Sequence, residues 1–366
     1  MAAELLLIIG TLNRETPYFQ GARGDGLHVF AFDESLLTFT PRAHFPGIDN
    51  PTFLSVTPDG RHIYAGSEVA EWREGLVTAF RYDHRDQRLT YLNTQPSLGS
   101  ITAHSLISRD GRRLYVVNYT VGEGGPGQSL VVFDIREDGS LSPAVGAAAH
   151  KGQGPDPDRQ ERAHAHSVAE TADGQLIVAD LGMDALVSYR IDATGRPERL
   201  VLTPTRPGSG PRHMALSPCG HFLFVINELD SSITSYRRDD ATGALSETDH
   251  RHTVPDDALS GNHCSDIRIS SDGRFLYGAN RGHDSIVQIG VDPATGRFGS
   301  RHLVSCGGVT PRNIALTPSG QHLLVANQNS DRVSVLTRDG DSGKLTDSGK
   351  YLEIGTPMCL KFAAPG

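Results

Sequence analysis

The chain has 366 residues, 40 of them Gly and 21 Pro, with a formal charge of −9, 37% hydrophobic and 21% charged residues. This excludes a collagen-like or wholly disordered chain and suits a sizeable core broken by many turns. The acidic balance, without any Lys/Arg run, argues against nucleic acid or an anionic membrane as partner, and no apolar run approaches the roughly 20 residues of a membrane span.

The first predicted element is a strand, LLLIIGT (5–11). No basic stretch precedes it, so it reads as a strand rather than a signal peptide. The stretch TLNRETPYFQGARGDG follows as a loop. From residue 51 onward one unit recurs: a short strand, a turn ending in Gly, and an apolar returning strand ending in Asn or a substitute. Its turn glycines are Gly60, Gly111, Gly174, Gly220, Gly273 and Gly320. Their spacing of about 46–63 residues is that of propeller blades rather than helical repeats. A third strand follows each hairpin: 75–83, 129–138, 185–192, 232–239, 285–292 and 332–339, with a seventh copy at 26–33. Turns such as ATGALSE, PATGRFG and DSGKLTD then open a fourth, outer strand.

Seven third strands face six complete hairpins, and the chain ends supply the remainder. TPMCLKFAAPG matches a first strand, with Gly366 as its turn glycine, and LLLIIGT matches a second. We therefore expect an all-β chain: one domain over residues 1–366, a seven-bladed β-propeller of four-stranded antiparallel blades. Strands from both chain ends would close the last blade, which removes open edges.

Counting from each turn glycine places side chains at one end of the ring. Eight positions before it stand Thr52, Ala103, His166, Arg212, Ser265 and Arg312; eight after it stand Glu68, Tyr119, Glu228, Arg281 and Gln328. In blade 3 a one-residue shift puts Asp180 at the Asn position and Leu181 last. Any one of these alone reads as a solvated rim residue. As a set they form a charged ring at a channel mouth, where the arginines suit a phosphate, carboxylate or oxyanion. His166 suits proton transfer and Glu228 suits orienting it or a water. His104 and His213, seven before their glycines, alternate to the opposite strand face and read as packing or supporting residues. His213 adjoins Arg212 and is counted with the substrate-binding set. SEVAEWREG in blade 1 and the 12–26 stretch fall at the same mouth. The Gly/Pro-rich segment 147–163 reads as a loop that could cover the mouth or supply Arg159 and Gln160.

Other motifs carry less. GEGGPGQ (122–128) has no following helix and reads as a loop. His164 and His166 lack a third local ligand, so we expect no metal, and nothing calls for a cofactor. No GxSxG occurs. Cys219, Cys264, Cys306 and Cys359 are scattered without CxxC, which fits free thiols in a reducing compartment, hence a cytoplasmic protein; Cys264 reads as a buried structural thiol. The oligomeric state stays open.

HKGQGPDPDRQERAHAHSV, VADLGMD, GPRHMALSPCG, VINELDSS, NRGHDSI and PRNIALTPSG, in this order, resemble the seven-bladed lactonase family over essentially the whole chain. That family includes propeller-type 6-phosphogluconolactonase and fungal carboxy-cis,cis-muconate cyclase. The resemblance implies a lactone-handling enzyme, with His166, Arg212, Glu228 and Arg281 where muconate-cyclising relatives place functional residues. The expected catalytic set is thus His166, Glu228, Arg212 and Arg281. The expected substrate-binding set is Arg312, Gln328, Tyr119, Glu68, Arg159, His213 and Asp180. The expected substrate is a small anionic sugar lactone, 6-phosphogluconolactone or a related aldonolactone. A cycloisomerase, lyase or other sugar-acid-modifying activity is the alternative. A non-catalytic binding platform is the third reading, against which the charged ring argues.

Overall fold

The computed structural model describes residues 4–120, 125–240 and 242–364. Gly366, residue 241 of the ATGALSE turn and residues 122–124 of GEGGPGQ lie outside them. Seven four-stranded antiparallel sheets are present, each formed by strands consecutive in the ring. Blades 1 to 6 begin at the inner strands Pro51–Val56, Thr102–Ile107, Ala165–Glu170, Pro211–Leu216, His263–Ile269 and Pro311–Leu316. Blade 7 is composite: Pro357–Ala363 innermost, then Leu5–Thr11, Leu27–Asp33 and Thr38–Phe45. Leu6 pairs with Ala363 and Gly10 with Cys359, so both chain ends are built into one sheet. Among the described residues, helix is confined to two 3₁₀ turns, Asp256–Ala258 and Gln328–Ser330.

The glycine punctuation works through backbone conformation. The six turn glycines all have positive φ, from +70° at Gly60 to +80° at Gly174, a region that glycine enters without steric cost. One third strand ends earlier than its sequence pattern: Leu130–Ile135 stops before Asp138, because Arg136–Ser140 closes a turn, Gly139 N–H donating to Arg136 O at 2.9 Å.

Apolar alternation buries each sheet on both faces against its neighbours. Ile8, Leu54, Ile63 and Phe80 join blade 7 to blade 1, and Phe224, Ile226, Leu276 and Val287 join blade 4 to blade 5. These inter-blade layers, rather than a central core, hold the ring, and leave the channel for polar side chains. Closure is tight at Gly10, where an added Cβ would lie 1.9 Å from the Pro51 carbonyl oxygen. Two backbones meet there, so neither gives way. Gly10→Ala is expected to destabilise the ring by about 1–3 kcal/mol, read as a lowered urea midpoint; an unchanged midpoint would contradict this closure.

Candidate functional site

The site begins with a defect repeated in every blade. The inner strand pairs with its neighbour except at one step: Pro51 and Phe53 face the consecutive residues Ser67 and Gly66, and the same shift occurs at Thr102/His104, Ala165/Ser167, Pro211/His213 and Pro311/Asn313. Blades 5 and 7 shift at Cys264/Ile267 and Cys359/Pro357. Thr52, Ala103, His166, Arg212 and Arg312 are thus the extra, unpaired residues of β-bulges. A bulge breaks strict alternation and re-aims side chains. This corrects the facing expected for His213, not its place in the substrate-binding set. Strict alternation would turn it from His166; the bulge instead brings both to the cavity, with ring centroids 5.4 Å apart. His104 packs against His213 at the same separation.

The cavity, about 680 Å³, lies at the end of the ring where the spacing places it. Its centre is a buried carboxylate held by three guanidinium groups. Glu228 Oε2 accepts from Arg212 Nε at 2.7 Å and lies 3.0 Å from Arg281 Nη2, while Oε1 accepts from Arg159 Nη2 at 2.6 Å. Burial alone would raise the Glu228 pKa; Arg281, Arg212 and Arg159 instead hold it well below the carboxylate range. Three cations on one anion leave net positive charge around Glu228. Arg212 is further fixed by the Ser265 carbonyl, and Arg281 by the Cys264 carbonyl at 2.8 Å. The sequence reading kept Glu228 ionised beside several arginines, suited to orient an imidazole or a water; the arginine contacts are the ones observed.

A second polar pole stands at blades 6, 7 and 1. Glu68 accepts from Thr52 Oγ1 at 2.7 Å and from the Tyr18 hydroxyl, and lies 3.6 Å from Arg312 Nη2. Arg312 also sits over the Tyr18 ring, 5.6 Å from its centroid. Here one cation meets one anion. Gln328 lines the cavity with a buried, unpartnered Oε1.

Beneath the arginines, His213 Nδ1 lies 2.8 Å from Asp266 Oδ1. Asp266 is fully buried and also accepts from Arg268 Nη1 at 2.9 Å, Asn313 Nδ2 at 2.6 Å and Ile314 N at 3.0 Å. Arg268 and the donated hydrogen bonds overcome its burial and keep it ionised. A neutral His213 therefore carries its proton on Nδ1 and leaves Nε2 as the basic nitrogen. Burial and Arg212 lower the His213 pKa to about 4, against the pull of Asp266. Burial, then Arg212 and His213, holds His166 well below its ordinary value, and its Nδ1 has no partner.

The family model for the seven-bladed β-propeller lactonases matches residues 7–362. The chain belongs to the lactonase family. A 6-phosphogluconolactonase of Bacillus subtilis is 30% identical over 344 residues, spanning 92% of this chain and 94% of its own. A 6-phosphogluconolactonase of Formosa agariphila is 30% identical over 346 residues, spanning 93% and 96%. The crystal structure of a periplasmic gluconolactonase from Pseudomonas aeruginosa superposes with a TM-score of 0.88 at 33% identity, covering 99% of both chains. This family member is accordingly an enzyme of the lactone-hydrolase type. Among its described residues no helix is long and apolar enough to cross a membrane.

Most residues chosen by spacing reach the cavity: Glu68, Tyr119, His166, Arg212, Glu228, Arg281, Arg312 and Gln328 all line it. Arg159 arrives from the 147–163 loop as expected; Gln160 instead braces that loop, donating to Leu181 O at 2.8 Å. Asp180 does not line the cavity. Its carboxylate accepts from His164 N at 2.8 Å and meets His150 Nδ1 at 2.6 Å, a bracing role like that of the Asn it replaces in the repeat. Two residues escaped the sequence reading. Asp266 shares the repeat position of His213, which was a usable signal. Tyr18 lies in a stretch assigned to the mouth, but nothing in its spacing singled it out.

The protein's buried imidazoles make its stability pH-dependent. His104, His166 and His213 all titrate below their ordinary value through burial first. Between the unfolded value near 6.5 and the lowered folded values, the unfolded chain binds more protons. Stability is therefore full above about pH 6.5 and falls as pH drops toward 4, by about 1.4 kcal/mol per unit for each group fully inside this window. Urea midpoints measured from pH 7.5 to 4.5 are expected to fall on the acid side; a flat profile would contradict neutral, buried imidazoles.

Proposed function

We propose that the protein hydrolyses a sugar lactone, 6-phosphogluconolactone or a related aldonolactone, in the arginine-rich cavity. The observation that carries this is the pairing of three guanidinium groups on Glu228 with the Asp266-bound imidazole of His213 in one cavity. The names of the relatives support the same chemistry, since they are a 6-phosphogluconolactonase and a gluconolactonase.

Lactone hydrolysis needs a base for water, a cationic hole for the tetrahedral oxyanion, and a proton for the departing ring oxygen. His213 Nε2 takes a proton from water as the hydroxide attacks the acyl carbon. Arg212 and Arg281 face the oxyanion that forms, already fixed by Glu228 and by backbone carbonyls, so little reorganisation is required. The ring C–O bond then breaks and the imidazolium returns its proton to the alkoxide. The products are a hydroxyl and a carboxylic acid, which ionises beside the arginines. His166 adjoins this centre and offers a second neutral imidazole to the substrate. Glu68, Tyr18 and Gln328 suit the hydroxyls of a sugar, and Arg159 and Arg312 suit an anionic group on it.

A pH-stat assay of ring opening tests this, using 6-phosphogluconolactone and δ-gluconolactone with spontaneous hydrolysis subtracted. Acceleration of at least one lactone is expected. Inactivity on both would sink the reading and shift weight to a cycloisomerase or lyase use of the same groups.

A further inference from the structure

A second cluster of chemically competent side chains lies away from the cavity, on the outer strands of blade 7. His28 and His44 are direct cross-strand partners. Their rings stack with centroids 4.3 Å apart and planes 13° from parallel. This turns both Nε2 atoms toward one carboxylate: Asp25 Oδ1 lies 2.6 Å from His28 Nε2, and Oδ2 lies 3.3 Å from His44 Nε2. His44 Nε2 is also 2.9 Å from the Asp25 carbonyl oxygen. Each oxygen of this carboxylate thus faces one imidazole nitrogen.

The three ligands are held by different parts of the fold. The backbone at Asp25 is pinned by Thr11, whose hydroxyl accepts from Asp25 N at 3.1 Å and Gly26 N at 3.0 Å and donates to Gly26 O at 2.8 Å. His28 is largely covered, with 13% of its side chain exposed, and also stacks on Phe30. Asp25 is 58% exposed, so an ion has an open route and water can complete its coordination.

We propose that Asp25, His28 and His44 form a binding site for a divalent first-row transition ion of the Zn²⁺ and Cu²⁺ class. Two imidazole nitrogens and a carboxylate match that donor preference, whereas Ca²⁺ and Mg²⁺ take oxygen sets. With metal–ligand bonds of about 2.0–2.1 Å, tetrahedral donors stand about 3.3 Å apart, so a small opening of the 2.6 Å contact admits the ion. This departs from the expectation of a metal-free chain, which weighed only His164 and His166. The site fastens the end of the 12–26 loop to blade 7, and that loop carries Tyr18 to the cavity. The inference stands apart from the lactonase reading, because no ligand lines the cavity.

The test is calorimetry on the full chain, stripped by chelator and titrated with ZnCl₂, together with Cu²⁺ electron paramagnetic resonance. The expected result is one saturable Zn²⁺ per chain, a Tm raised by several degrees, and a Cu²⁺ spectrum with coupling to two nitrogens. His44→Gln, at a partly exposed position, is expected to fold normally, to weaken binding at least 10-fold and to reduce the coupling to one nitrogen. Asp25→Asn is expected to weaken binding without changing the nitrogen count. A double variant at the other neighbouring pair, His250→Gln/His252→Gln, is expected to bind as wild type. No saturable binding, or His44→Gln binding like wild type, would overturn the proposal.

Discussion

Glu228→Gln is expected to lose both stability and activity, the largest combined effect in the molecule. The amide keeps the size of the carboxylate but removes the anion shared by Arg159, Arg212 and Arg281. Arg212 and Glu228 are only 2% and 5% exposed, so the cations are left facing one another without their buried counter-ion. Burial and mutual repulsion already lower the pKa values of Arg212 and Arg281. Breaking a buried pair of this kind costs about 3–5 kcal/mol; Arg159, partly exposed, can turn toward solvent and places the loss toward the lower end. Urea unfolding measures the first effect, and kcat/KM on the responsive lactone the second. Adding Arg281→Met should recover stability, by removing one unpaired cation, but not activity. A Glu228→Gln protein as stable as wild type would mean that the arginines do not depend on Glu228.

His213→Asn is expected to lower kcat by about 10²–10⁴-fold with KM little changed, the range for removal of a general base. The asparagine amide can still donate to Asp266, so the buried carboxylate keeps a partner and the fold is expected to persist. What disappears is the basic nitrogen. Asp266→Asn tests the same arrangement from behind: the imidazole loses the anion that holds its proton on Nδ1, and kcat is expected to fall while the acid limb of the pH–rate profile moves. In wild type that limb is expected to report protonation of His213, whose pKa is lowered to about 4 by burial and Arg212 and is expected to rise when a bound anion offsets Arg212. A His213→Asn enzyme with wild-type kcat would return the proton transfer to His166.

The ring was legible because its information is local and repeated. Each turn glycine marks a position of positive φ, and the LLLIIGT and TPMCLKF segments match strands seen intact elsewhere in the chain. The location of the cavity was legible for the same reason: residues at equal offsets from Gly220 and Gly273 end at one rim. Orientation was harder to read. The bulges at Pro211/His213 and its equivalents break the two-residue period on which facing is judged, so His213 was turned the wrong way. Asp180 is counted with the substrate-binding set, although its offset puts it at the repeat's Asn position, which points to bracing. Asp266 shares the repeat position of His213, but its role shows in its bond across blades to His213, 53 residues away in sequence. Tyr18 likewise gains meaning only where the 12–26 loop meets Glu68.

The most direct test of the central claim is a crystal structure with the ring-opened product bound, using gluconate and 6-phosphogluconate in separate soaks. The account predicts a product carboxylate within hydrogen-bond distance of Arg212 or Arg281, its acyl carbon on the His213 side, and sugar hydroxyls toward Glu68 and Gln328. A product bound elsewhere on the ring, or a cavity empty at saturating product, would contradict it.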